Sequence, residues 1–97
     1  MIRYVVLLNF LEKGVADVRD SVARAEAFRT AAGKVGATVE SQFWTQGAYD
    51  GVFVLTAPDE TTAAALVLDL ARSNAVRTCM MRAFDSGEFK NIADKLS

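Results

Sequence analysis

Apolar positions along this chain recur with two different periods, and the switches between them mark out the elements. Tyr4 to Asn9 is dense in β-branched and aromatic residues and predicts a strand. A connection of about ten residues follows, containing Gly14. Val22, Ala25, Phe28, Ala32 and Val35 then recur at helical spacing, with Asp17 or Ser21 as alternative caps and Gly36 suited to the left-handed residue past the end. Thr38 to Thr45 alternates and predicts a second strand, and Gly51 to Ala57 a third. The glycine-bracketed loop between them is short enough for a hairpin. Pro58-Asp59 stops that strand and opens a helix carrying Ala63, Leu66, Val67 and Leu70, which ends at Ser73-Asn74. Val76 to Phe84 predicts the fourth strand. Asp85 and Glu88 have capping-box spacing, flanked by Phe84 and Phe89 at staple positions, and open a closing helix to about Leu96.

The order is β-α-β-β-α-β with a C-terminal helix, an α+β chain of the ferredoxin-like class in a single domain over residues 1–97. Its sheet is antiparallel, with both main helices on one face. Crossover handedness puts the first and third strands side by side at the centre.

The strands carry too many apolar residues for that arrangement alone. Tyr4, Val6 and Leu8 share one face, but Val5 and Leu7 share the other; Val52 and Val54 oppose Phe53 and Leu55, and Cys79 and Met81 oppose Met80. A sheet covered on one side alternates apolar with polar residues. Leaving such side chains in water forfeits roughly 1.5–3 kcal/mol each. The expectation is a homodimer or higher oligomer, two sheets stacked about a two-fold axis around an apolar cavity, with the closing helix as the alternative cover.

Composition narrows the functional classes. With 52% hydrophobic and 24% charged residues the chain reads as an ordinary globular domain. A net charge of −1 without a basic run argues against nucleic acid as a partner. The single cysteine, Cys79, cannot form an intrachain disulfide, and the N-terminal apolar run is too short for a signal peptide or a membrane span, so a cytoplasmic location is expected. Histidine is absent, which removes the commonest general base and metal ligand. No metal cluster, phosphate-binding loop or dinucleotide motif is present, and no cofactor is expected.

Gly47-Ala48-Tyr49-Asp50-Gly51 resembles the Gly-x-Tyr-Asp signature of the GYD-domain family. Trp44-Thr45, Ala57-Pro58-Asp59, Tyr4 to Phe10, Arg24-Ala25-Glu26-Ala27 and Val76-Arg77-Thr78 are also similar to that family's pattern. The resemblance implies a dimeric α+β barrel. The wider superfamily includes cofactor-free monooxygenases, haem-degrading enzymes, muconolactone-type isomerases and effector-binding domains, and a shared scaffold does not choose among them. Without histidine there is no proximal imidazole for haem.

The candidate ligand-binding residues are Tyr4, Asn9, Trp44, Tyr49 and Asp50. Trp44 offers a stacking wall for a planar ligand or fills an interface. Tyr49 and Asp50 can orient a ligand at the cavity rim, or simply build the turn. Asn9 can donate to a ligand carbonyl or secure the end of its strand. Arg77 and Arg82 fall on opposite faces and cannot form a joint clamp; one can reach a ligand carboxylate or each serves a solvent-exposed edge, the preferred reading, and Arg3 and Arg24 stand alike. Cys79 reads as a small hydrophobe. No residue is singled out as catalytic. Three functions stay open: a small-organic-ligand-binding homodimer with an inter-sheet cavity, a cofactor-independent monooxygenase or isomerase on a planar substrate, and an oligomerisation module.

Overall fold

A computed structural model describes residues 1–97. Its strands are β1 (Ile2–Phe10), β2 (Thr38–Trp44), β3 (Gly51–Ala57) and β4 (Val76–Ala83). Its helices are α1 (Glu12–Ala16), α2 (Ser21–Lys34), α3 (Glu60–Ala71) and α4 (Ser86–Ala93). The sheet order is β2-β3-β1-β4 with every neighbouring pair antiparallel, so the first and third strands are central. This is the ferredoxin-like α+β arrangement expected from the element order.

The core lies between the sheet and helices α2 and α3. Tyr4, Val6, Leu8, Val39, Phe53 and Leu55 from the strands meet Ala32 of α2 and Ala63 and Val67 of α3. Small residues at those helix positions let the helices approach the sheet closely. The Phe28 and Phe53 rings lie 5.1 Å apart at 56°, a tilted pairing that suits the aromatic quadrupole.

Several local expectations change. The first connection is not plain loop: α1 and a 3₁₀ turn at Val18–Asp20 occupy it. The Leu11 N–H donates to the Ala75 carbonyl at 2.9 Å, which docks this connection on the turn before β4. Neither Asp17 nor Ser21 caps α2. Asp20 holds that position without a side-chain bond, and the Ser21 hydroxyl donates to the Val18 carbonyl, because the 3₁₀ turn runs straight into the helix. Gly36 does take the left-handed conformation, with φ of 79°.

The apolar stripe on α2 also shifts. Val22 and Val35 are exposed, whereas Ser21, Arg24, Ala25 and Phe28 face inward with Ala32. Six residues of helix turn through roughly 240°, so Val22 and Phe28 do not share a face, while residues 24, 28 and 32 nearly do.

Both parts of the Asp85–Glu88 capping box form, with N–H···O distances of 2.8 and 3.0 Å. The helix it opens is shorter than expected, stopping at Ala93, and Phe89, Ile92 and Leu96 are exposed. The opposite sheet face, with Val5, Leu7, Val52, Val54, Cys79 and Met81, carries neither α2 nor α3. No helix is long and apolar enough to cross a membrane.

Candidate functional site

A register shift in β2 decides which side of the sheet the aromatic residues occupy. Val39 pairs with Leu55 on the helix side, but the ladder resumes with Ser41 opposite Val54, leaving Glu40 as the extra residue. Strict alternation would keep Val39 and Phe43 on one face. The bulge sends Phe43, which pairs with Val52, to the open face, where it is 63% exposed. Trp44 is sent to the helix side. The expected Trp44-lined cavity between two stacked sheets is therefore corrected: Trp44 lines a recess between the sheet and the helices of its own chain.

That recess is walled by Leu8, Phe10, Phe28, Trp44, Leu70 and Val76 among others. The cavity is about 50 Å³, and about 470 Å³ with its open mouth. Its polar lining consists of Ser21, Arg24, Gln42 and Ser73. Ser21 and Ser73 donate to the carbonyls of Val18 and Leu70, so their protons are committed. Arg24 differs from them: its Nη2 is buried and has no hydrogen-bond partner. No carboxylate lines the cavity.

The other candidates do not converge there. Tyr4 is only 5% exposed, sits in the core on the helix side, and has the Arg82 guanidinium 5.9 Å from its ring centroid. It cannot line an inter-sheet cavity, because it shares a face with Val6 and Leu8. Asn9 lies five residues along β1, about 17 Å away. Its amide donates to the Ala48 carbonyl at 2.9 Å. The Asp50 carboxylate accepts from the Phe10 N–H at 2.7 Å, while the Asp50 N–H donates to the Leu8 carbonyl at 2.9 Å. The Tyr49 carbonyl accepts from the Thr45 hydroxyl at 2.7 Å, and its side chain is partly exposed.

Together these bonds fasten the β2–β3 turn to the end of β1. Gly47 has φ of 145°, a conformation L side chains rarely adopt. A Cβ at Gly51 would come within 3.2 Å of Leu8 Cδ1. In this chain the Gly-Ala-Tyr-Asp-Gly segment thus has a structural task. It fixes the strand ends that carry Trp44, just before the turn, and Phe10, both of which line the recess.

Arg24, expected at a solvent-exposed edge, instead lies on the inward side of α2 with Phe28 and Ala32 and lines the recess. Its spacing of four residues to Phe28 and eight to Ala32 puts the three on one side of α2. Arg77 and Arg82 do lie on opposite faces, paired with Asn9 and Tyr4 respectively. There is no cluster of three or more His, Cys, Asp or Glu side chains placed to hold a metal ion.

The crystal structure of TTHA0845 from Thermus thermophilus is similar, with a TM-score of 0.55 and 23% identity over 89% of this chain and 96% of that one. At that identity the likeness bears on the fold. No curated protein matches the chain. The GYD domain model matches residues 4–93, nearly the full length and including the Gly47–Gly51 turn, and on that match the chain belongs to the GYD domain family.

Proposed function

We propose that this chain is a small-ligand-binding domain that works as a homodimer, with one binding site inside each chain. The observation that carries the ligand reading is the recess beside Trp44, an apolar cavity with an open mouth and an unsatisfied cationic group on its wall. Side chains facing an unfilled recess forgo dispersion contacts, and a small organic molecule seated there would restore them. The site needs no second subunit, since α2, the turn before β4 and strands β1 to β3 supply most of its walls within one chain.

The homodimer has its own support in the open sheet face. Val5, Leu7, Val52 and Val54 are half-buried, Met81 and Cys79 are exposed, and Phe43 protrudes beside them. A two-fold axis allows one such face to cover another, burying apolar area at roughly 25 cal/mol per Å². An oxygenase or isomerase reading has less behind it, because Tyr4 is remote from Asn9 and Asp50, and the latter two are bonded to backbone.

Trp44 is the single tryptophan, so its emission reports on the recess directly. A metabolite panel is expected to yield a compound that shifts Trp44 fluorescence and raises the melting temperature together, since ligand bound to the native state stabilises it by mass action. A broad panel that moves neither signal would leave assembly through the open face as the function.

A further inference from the structure

The geometry points to the class of ligand: a compact monocarboxylate, its carboxylate paired with Arg24 and its apolar part against Phe28 and Trp44. This rests on the ligand-binding reading above and goes beyond it in naming the chemistry.

Three features of the recess lead to it. First, Arg24 Nη2 is buried without an acceptor, and Arg24 takes part in none of the ion pairs of the chain. Buried polar groups in native proteins are almost always satisfied, and a guanidinium nitrogen withdrawn from water costs more than a neutral one. Second, no acid competes for it at the cavity wall. Asp69, which lines a neighbouring groove together with Arg24 and Phe28, is bonded to Arg72 at 3.1 Å. Third, the rest of the lining is mostly apolar, with Phe28 and Trp44 in it, so a ligand that satisfies the guanidinium carries an apolar part as well.

Size and polarity set the rest of the ligand. A cavity of about 50 Å³ is well under the roughly 150 Å³ at which an enclosed apolar cavity admits benzene. The enclosed part therefore holds a headgroup, and the tail lies in the mouth among aromatic and aliphatic side chains. Phosphate would find the charge but no use for the apolar wall.

The test uses the full-length protein, with Trp44 fluorescence and calorimetric titration as readouts. Butyrate and benzoate are compared with their neutral isosteres butyramide and benzamide, and with inorganic phosphate. At least one carboxylate is expected to bind about tenfold or more tighter than its amide, the range a charge-assisted hydrogen bond supplies. Arg24→Met, which keeps the stem and removes the charge, is expected to abolish that preference, with the free protein melting at or above its starting temperature because no unpaired guanidinium nitrogen is buried any longer. Equal binding of acid and amide would overturn the carboxylate assignment and leave the ligand-binding reading standing. Phosphate binding as well as butyrate would overturn it too, making the site one for anions in general. If no probe of either kind bound, the carboxylate inference would fall, while the ligand-binding reading would still be decided by the broad metabolite panel. Should Arg24→Met unfold, Arg24→Lys decides, since it keeps a charge but loses the planar fork, and carboxylate preference unchanged in it would count against a guanidinium pairing.

Discussion

The Asp50 carboxylate accepts the Phe10 backbone N–H at 2.7 Å, just beyond the last paired residues of the β1–β3 ladder, Leu8 and Gly51. One side chain thereby joins the turn to the strand end that borders the recess. Asp50→Ala would leave a part-buried N–H without a partner, at a cost of about 1–3 kcal/mol. In a chain this size that lowers the melting temperature by several degrees. Asp50→Asn retains an acceptor and is expected to lose less. Calorimetric melting of the two variants checks the order, and equal losses would point to charge instead of geometry.

Gly14 and Gly33 are expected to respond in opposite directions to alanine. A Cβ at Gly14 would lie 2.1 Å from the Ala75 carbonyl oxygen, which is backbone and cannot swing aside. Overpacking of this kind costs about 1–3 kcal/mol. Gly33, inside α2, has nothing within 4 Å of such a Cβ, and alanine there should stabilise by about 0.5–1 kcal/mol through helix propensity. Denaturant midpoints at unchanged m-value measure both.

Asp59 caps α3 by accepting the Thr62 N–H at 2.7 Å, and that bond holds its carboxyl below the ordinary aspartate range. A group whose native value is lowered stabilises the fold above its unfolded value, near pH 4, and loses that contribution as pH falls through the native value. Asp59→Asn should therefore melt below the wild type at pH 7, with the gap narrowing as the pH drops below about 4. A gap independent of pH would mean that the charge contributes nothing.

The open sheet face predicts a dimer that one central charge can dissociate. Val54 pairs with Val5 on one side and Ser41 on the other, in the middle of that face. Val54→Glu should sediment as a folded monomer of 10.5 kDa where the unsubstituted chain sediments at twice that mass. Cys79, opposite Leu7 on the same face, should react with a thiol reagent faster in the monomer. An unsubstituted chain that is itself monomeric at micromolar concentration would remove the interface.

Most of the architecture is legible in one dimension. The capping box at Asp85 and Glu88, the left-handed Gly36 and the Pro58-Asp59 stop depend on neighbours within a few residues, so local chemistry announces them. The four strands could be read because runs such as Val5 to Leu8 and Gly51 to Ala57 are apolar almost throughout. The first connection was less readable. It is docked by the bond from Leu11 to the Ala75 carbonyl, a partner far along the chain.

The site was the least legible part, for one physical reason. Side-chain parity along a strand reverses at every bulge, and nothing in Thr38 to Thr45 marks Glu40 as the extra residue. The periods of the apolar residues determined the β-α-β-β-α-β order, and an excess of strand hydrophobics determined that one sheet face would lack cover. Which face Trp44 serves, and that Arg24 lies beside it with Nη2 unpaired, was decided only when the strands took their register and α2 its rotation against them. Those depend on contacts between residues far apart in the chain, which no local pattern encodes.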